Sequence, residues 1–247
     1  MVEKYGKPIV LITGVSGYLG SHVANVFLKD GSYEVRGTVR DAKNQKKIAP
    51  LRKAFSDLFK DLTLVEADLL NEKSIIDAIA GATFVVHTAS PFPLKNPKDE
   101  MEIIRPAVAG TTAVMRGCQL HKVKRVVITS SVAAVMELAP ADKPLDGVYN
   151  ETMWSNPIGD HIKAYSKSKT LAEQAAWDFQ KNLPANERFE IVTINPGLIM
   201  GPAFVDAGFS SGDIIAKLMN NEYPGMPVIM MPIVDVRETA MAHLLAL

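Results

Sequence analysis

Tyr165 and Lys169 are the strongest chemical feature of the sequence. They stand four residues apart in a stretch with helical periodicity, so both side chains lie on one face of the predicted helix. A tyrosine hydroxyl can donate a proton to a developing alkoxide, although its ordinary pKa of about 10 makes it a slow acid at neutral pH. A neighbouring ammonium stabilises the phenolate and lowers that pKa. The pair therefore predicts proton transfer to a carbonyl oxygen.

Three glycines near the amino terminus form a second chemical pattern. Gly14 allows a tight turn, Gly17 lets backbone N–H groups approach a pyrophosphate, and Gly20 lets a helix pack closely on a strand. An apolar run before them and an amphipathic helix after them favour a dinucleotide-binding loop over a plain structural turn. The candidate cofactor contacts in this loop are Gly14, Ser16, Gly17, Tyr18, Leu19 and Gly20.

The end of the second predicted strand distinguishes the two nicotinamide cofactors. Enzymes that use NAD place an acidic residue there to bind the ribose 2′-hydroxyl, whereas this chain has Thr38, Val39 and then Arg40. The Arg40 guanidinium can hold a 2′-phosphate with two hydrogen bonds, and Lys47 can add a second positive charge. The sequence therefore predicts NADPH/NADP+ as the cofactor. In the alternative interpretation these cations are a solvated helix start, and Asp41 binds the ribose.

Apolar runs alternate with helical patterns along the chain, which predicts a parallel sheet covered by helices. The predicted strands are residues 9–13, 33–39, 62–66, 84–87, 125–129 and 190–194. The predicted helices are residues 18–29, 44–59, 72–79, 101–120 and 161–181. The fold class is α/β, a Rossmann-type doubly wound parallel sheet with a small C-terminal substrate lobe.

The same patterns suggest how the chain is divided. We expect an NADP-binding Rossmann domain over residues 1–200 and a partial substrate-binding lobe over residues 201–247. Ligands bind beyond the carboxyl ends of the strands in such sheets. Loops 88–99, 131–160 and 203–232 emerge there, and we expect them to form the substrate walls.

The glycine spacing resembles that of the short-chain dehydrogenase/reductase superfamily, and further stretches narrow the resemblance. Residues 37–41 (GTVRD), 87–91 (HTASP), 169–177 (KTLAEQAAW) and 195–202 (NPGLIMGP) are similar to the extended dihydroflavonol reductase branch. That branch includes plant dihydroflavonol and cinnamoyl-CoA reductases and fungal aldehyde and methylglyoxal reductases. The resemblance implies an NADPH-dependent reductase of a small-molecule aldehyde or ketone.

The resemblance also implies roles for individual residues. It makes Ser131 the serine that holds the substrate oxygen beside Tyr165 and Lys169, with Ser130 as the second candidate. It places Asp68 and Leu69 near the adenine, Thr88 and Ala89 beside the nicotinamide ribose, and Pro196 and Gly197 against the nicotinamide. The cofactor contacts that it adds to the glycine loop are therefore Arg40, Lys47, Asp68, Leu69, Thr88, Ala89, Tyr165, Lys169, Pro196, Gly197 and Ser211.

Two features depart from the family pattern. Residues 105–108 lack the asparagine that many relatives carry in the fourth helix, so we do not expect a proton relay through such a residue. The family's sequences continue further, whereas this chain stops at residues 243–247, an apolar stretch that reads as the middle of a helix. We therefore expect a truncated chain that lacks part of the substrate lobe.

Composition argues against several other functions. Lysine plus arginine and aspartate plus glutamate number 27 each, which leaves no net charge to favour nucleic acid or an anionic membrane. The sequence shows no signal peptide and no apolar run of the roughly 20 residues that span a bilayer. With the single cysteine, Cys118, these features predict a cytoplasmic protein. The histidines lack metal-ligand spacing, so we expect no metal site.

Other functions of the same fold stay open. A nucleotide-sugar epimerase or a hydroxysteroid-type dehydrogenase shares the glycine loop, and so does a non-catalytic module that senses NADP. Such a module typically loses the tyrosine and lysine that are present here. Residues 208–212 fit the G-x-S-x-G elbow of hydrolases, but no predicted strand directly precedes them.

Overall fold

The computed structural model describes residues 6–90, 99–158, 162–205, 210–222, 225 and 231–247. Its centre is a six-stranded parallel sheet of β1 (Ile9–Thr13), β2 (Glu34–Val39), β3 (Leu62–Glu66), β4 (Phe84–His87), β5 (Arg125–Thr129) and β6 (Glu190–Ile194). The strand order is β3-β2-β1-β4-β5-β6. The order in which the strands are added to the sheet reverses between β1 and β4. In open parallel sheets a ligand crevice forms at such a point.

Helices cover both faces of this sheet, which confirms the predicted Rossmann-type fold class. They are α1 (Tyr18–Asp30), α2 (Gln45–Phe55), α3 (Glu72–Ile79), α4 (Met101–Leu120), α5 (Ala164–Lys181), α6 (Ser210–Met219) and α7 (Val236–Leu245). Two short strands, β7 (Leu198–Met200) and β8 (Ile233–Asp235), form a separate parallel pair. None of the helices in the described ranges combines the length and apolarity that crossing a bilayer requires.

Three segments differ from the sequence-based expectations. The helix predicted over residues 44–59 ends at Phe55, because Ser56 has a φ of +48° and the chain continues as a 3-10 helix over Ser56–Asp61. Helix α6 lies inside residues 203–232, which the sequence suggested to be a loop. Helix α5 begins at Ala164 rather than at residue 161, and residues 159–161 lie outside the described part of the chain.

Successive strand residues point into two separate cores. Val10 and Ile12 of β1 pack on the side of α1, α2 and α7, whereas Leu11 packs on the side of α3, α4 and α5. Since both faces of the sheet are covered, its central strands are mostly apolar. Cys118 of α4 is fully buried in the second core, and burial raises the pKa of its thiol.

Helix α7 is tied to the sheet by its histidine. The carbonyl oxygen of Thr239 lies 2.7 Å from Nδ1 of the buried His243, so Nδ1 carries the proton. The hydroxyl of Thr129, at the end of β5, then donates to Nε2 across 2.7 Å. Burial lowers the pKa of His243, which keeps the ring neutral. Arg125 also donates to the Ala246 carbonyl oxygen at 2.8 Å.

The predicted division into domains at residue 200 stays a prediction.

We expect His243→Ala to lower the free energy of unfolding by about 2–4 kcal/mol, because it empties a core position and removes the partner of the Thr129 hydroxyl. Urea denaturation followed by circular dichroism measures the difference. Met241→Ala on the same helix is the matched control, because Met241 is 42% exposed and its loss leaves no buried cavity. Equal stabilities of the two variants would show that α7 is not anchored through His243.

Candidate active site

The loop between β1 and α1 is packed too tightly for side chains at two of its glycines. Gly14 has a φ of +75°, and a Cβ added to it would lie 3.0 Å from Cβ of Ala89. A Cβ added to Gly20 would lie 2.2 Å from the carbonyl oxygen of Gly14, which is far inside van der Waals contact. Gly17 closes the turn by donating its N–H to Gly14 at 2.9 Å. The three glycines therefore form a shallow cradle whose walls are backbone.

The amino terminus of α1 opens onto this cradle. Its N-cap residue, Gly17, makes no side-chain cap, and the first turn of the helix contains no acidic side chain. The first backbone N–H groups of a helix have no partner within the helix, and the helix dipole favours an anion there. A cradle that admits no Cβ, beside a helix amino terminus, fits the pyrophosphate of a dinucleotide.

Hydrogen bonds join the end of β4 to the residue before the glycine loop, Thr13. Thr88 donates its hydroxyl to the Thr13 carbonyl oxygen at 2.6 Å, and the Ala89 N–H donates to the Thr13 hydroxyl oxygen at 3.1 Å. The Thr13 hydroxyl lies 2.9 Å from Nδ1 of His87. Burial, with the nearby charge of Lys169, lowers the pKa of His87 to about 3 and keeps its ring neutral. Residues Thr88 and Ala89 therefore lie directly beside the cradle.

The end of β2 is followed by the exposed cations Arg40 and Lys47 and by the exposed carboxylate of Asp41. The buried Thr38 is not available to a ribose, because its hydroxyl oxygen accepts the Gly14 N–H at 2.9 Å. Arg40 and Lys47 are both exposed, and neither forms an ion pair with any described residue. The Asp41 carboxylate accepts the N–H of Lys43 at 2.8 Å and so closes the turn that follows the strand.

The end of β5 and helix α5 position the three predicted catalytic residues. Ser131 follows β5, and helix α5 places Tyr165 and Lys169 one turn apart. Burial raises the pKa of Tyr165, and a hydrogen-bonding contribution from the Ser131 side chain opposes that rise. The neighbouring Ser130 instead donates its hydroxyl to Glu173. The geometry thus favours Ser131 over Ser130 as the partner of the tyrosine.

Lys169 lines a small cavity of mixed polarity between α4, α5 and the ends of β4 and β5. The cavity has a volume of about 20 Å³, and its lining includes His87, Thr111, Ser130 and Glu173. Desolvation by burial lowers the pKa of Lys169 to about 8, and the charge of Glu173 opposes that fall. The lysine therefore stays largely protonated at neutral pH.

Sequence analysis missed the buried carboxylate beside this pair. Glu173 accepts hydrogen bonds from Ser130, from Nδ2 of Asn195 at 2.9 Å and from Nε1 of Trp177 at 3.3 Å. The signal that could have found it is the helical spacing, since Glu173 follows Lys169 by four residues on the same face of α5.

The remaining predicted cofactor residues occupy the same edge of the sheet. Asp68 accepts the Leu70 N–H at 3.0 Å in the turn after β3, and Leu69 lines the cavity described above. The Pro196 carbonyl oxygen accepts the Val132 N–H at 3.0 Å. A Cβ on Gly197 would lie 2.2 Å from the carbonyl oxygen of Pro232, so this segment also runs backbone against backbone.

Three further residues and five segments complete the set. Leu19 packs against the first core, and Tyr18 donates its hydroxyl to the Gly201 carbonyl oxygen at 2.9 Å. Ser211 lies in α6, and its side chain falls outside the described part of the chain. The same holds for much of the predicted substrate walls, namely residues 91–98, 159–161, 206–209, 223–224 and 226–230.

Known proteins are similar to this chain in sequence and in fold. Residues 10–247 match the sequence model of the NAD dependent epimerase/dehydratase family. Tetraketide alpha-pyrone reductase 1 of Arabidopsis thaliana is 39% identical over 229 residues, which are 90% of this chain and 66% of the relative. Cinnamoyl-CoA reductase CAD2 of Medicago truncatula is 37% identical over 96% of this chain and 72% of its own length.

A solved structure has a fold similar to that of this chain. Yeast methylglyoxal/isovaleraldehyde reductase Gre2, crystallised with NADPH, superposes with a TM-score of 0.81 at 28% sequence identity. The match covers 96% of this chain and 73% of the yeast chain. The resemblance expected from the motifs is confirmed, and the chain spans 66–73% of the length of these three relatives.

Gly20→Ala tests the closeness of the cradle. Because its new Cβ would overlap the Gly14 carbonyl oxygen, we expect the variant to lose about 1–3 kcal/mol of stability and to lose binding of dinucleotides. Urea denaturation and NADPH fluorescence titration measure the two effects. Gly6→Ala is the matched control, since a Cβ there meets nothing within 4 Å. A Gly20→Ala protein as stable as the control would contradict the described backbone contact.

Proposed function

We propose, from the premise that the chain belongs to the NAD dependent epimerase/dehydratase family, that it reduces a small-molecule aldehyde or ketone to an alcohol with NADPH. The observation that supports this proposal is the glycine cradle, which admits no Cβ at Gly20, at the same edge of the sheet as Ser131 and the helix that carries Tyr165 and Lys169. The three similar proteins described above are reductases, and the yeast one was crystallised with NADPH.

The residues around the crevice would hold the cofactor in sections. Gly14, Ser16, Gly17, Tyr18, Leu19 and Gly20 would surround the pyrophosphate, and bound NADPH would supply the hydride. The exposed Arg40, with Lys47, would bind the 2′-phosphate, because a guanidinium matches phosphate with two parallel hydrogen bonds. The other cofactor contacts would be Asp68 and Leu69 at the adenine, Thr88 and Ala89 at the nicotinamide ribose, and Pro196, Gly197 and Ser211 near the nicotinamide.

The triad divides the acid chemistry among its members. Ser131 would hold and polarise the carbonyl oxygen, and Oη of Tyr165 would donate a proton to it as negative charge develops there. The buried phenol stays protonated until that charge forms, because its surroundings raise its pKa. The Lys169 ammonium would then stabilise the phenolate. That stabilisation would have to outweigh the effect of burial, which raises the pKa of Tyr165, and each pKa unit corresponds to about 1.4 kcal/mol.

Tyr165→Phe separates catalysis from binding. We expect turnover of a panel of aldehydes and ketones to fall at least about 100-fold, because the proton donor is gone. Quenching or shifting of NADPH fluorescence should persist, since the cradle is untouched. Tyr33→Phe, on the core side near Phe27, is the control that should keep turnover. A wild-type chain that binds NADPH and reduces no carbonyl would identify a sensing module instead.

Arg40→Ala tests the cofactor preference. We expect the Kd for NADPH to rise about 10–100-fold, because a charge-assisted pair with the 2′-phosphate is lost, while the Kd for NADH stays unchanged. Fluorescence titration with each cofactor measures both constants. Lys29→Ala, which removes an exposed cation from the far end of α1, serves as the charge-matched control. Equal weakening of both cofactors, or tighter wild-type binding of NADH, would remove Arg40 from this role.

A further inference from the structure

Glu173 is a carboxylate buried in the protein interior. It lies on α5, four residues beyond Lys169, with only 6% of its surface exposed. Burying a charged carboxylate carries a cost of several kcal/mol unless the charge is paired and hydrogen-bonded. The side chain meets that requirement through three donors, Ser130, Asn195 and Trp177.

Two of those donors come from the segments that face α5. Ser130 directly precedes Ser131 at the end of β5, and Asn195 directly precedes Pro196 at the end of β6. Asn195 also donates to the Ser131 carbonyl oxygen at 3.2 Å. Glu173 therefore connects the helix that carries Tyr165 and Lys169 to both segments that face it.

The charges around Lys169 make the carboxylate its electrostatic partner. In the described part of the chain, the cavity beside Lys169 is lined by α4 residues without charge, by the neutral His87 of β4, by uncharged ends of β5 and by Glu173. Tyr165 on the same helix is neutral as well, since burial raises its pKa. Glu173 is thus the anion of this lining, and its charge raises the pKa of Lys169 against desolvation.

We propose that Glu173 is a positioning residue of the reductase triad: its buried carboxylate keeps the Lys169 ammonium charged and fixes α5 against the ends of β5 and β6. The proposal rests on the proposed function for its catalytic meaning. Its electrostatic content concerns residues of this chain alone, and it can be measured without turnover.

Glu173→Gln is the direct test, because glutamine keeps the size of the side chain and removes its charge. Protein labelled with 13C at the lysine Cε is titrated by NMR, and the Lys169 resonance is assigned with Lys169→Arg. The wild-type midpoint should lie near 8. We expect Glu173→Gln to move it about 1 pH unit or more lower, because burial is then unopposed. Asp178→Asn, which removes an exposed carboxylate from the same helix, should leave it unchanged.

Two results would overturn the proposal. One is an unchanged Lys169 midpoint in Glu173→Gln, and the other is an equal movement in Asp178→Asn, which would mean a general effect of charge. If Glu173→Gln does not fold, Glu173→Asp replaces it. The shorter carboxylate should lower the midpoint by a smaller amount, and no movement would again refute the proposal.

The pH profile of kcat/KM connects this result to catalysis. In Glu173→Gln the alkaline limb of carbonyl reduction should move to lower pH, because the ammonium is lost earlier as the pH rises. A purely structural role would lower kcat/KM equally at every pH. If the wild-type protein reduces no carbonyl, the proposed function fails, whereas the NMR midpoints still decide the role of Glu173.

Discussion

Contact of backbone on backbone at one edge of the sheet is the constraint on which the rest of the structure depends. Gly20 packs against the Gly14 carbonyl oxygen, and Gly14 packs against Ala89, with no space for a Cβ between them. Thr13 hydrogen-bonds to the same segment after β4. Since β5 pairs with β4 and leads directly into Ser131, strand register sets the distance from the cradle to Ser131.

Helix α5 shows how a polar function is carried into an apolar core. Its buried residues include Ser166, Ser168, Thr170 and Glu173 beside small alanines. Ser168 and Thr170 donate their hydroxyls to carbonyl oxygens one turn back, at 2.7 and 2.8 Å. A buried polar group without a partner costs about 1–3 kcal/mol, and these groups avoid that cost through local bonds. The helix can therefore bury its charged pair and still pack closely on α4.

Periodicity predicted the parts of the structure whose environment is uniform along the chain. Buried strands such as Ile9–Thr13 and Arg125–Thr129 are apolar on both faces, so their bounds were predictable. Helical spacing likewise placed Tyr165 and Lys169 on one face. The tertiary partners could not be predicted, because the buried acid Glu173 depends on Ser130 and Asn195, which lie far from it along the chain. Helix α6 was missed because glycine, proline and methionine surround it, and these residues are typical of loops.

The burial of Cys118 gives the chain a built-in reporter of its own opening. The sequence contains one cysteine, and that thiol is fully enclosed between α3, α4 and the sheet. Because alkylating reagents react with an accessible thiolate, and burial raises the pKa of this group, the native state is silent toward them. Any modification of the unaltered chain therefore counts openings of its second core, and a cysteine introduced on the surface can be labelled without competition.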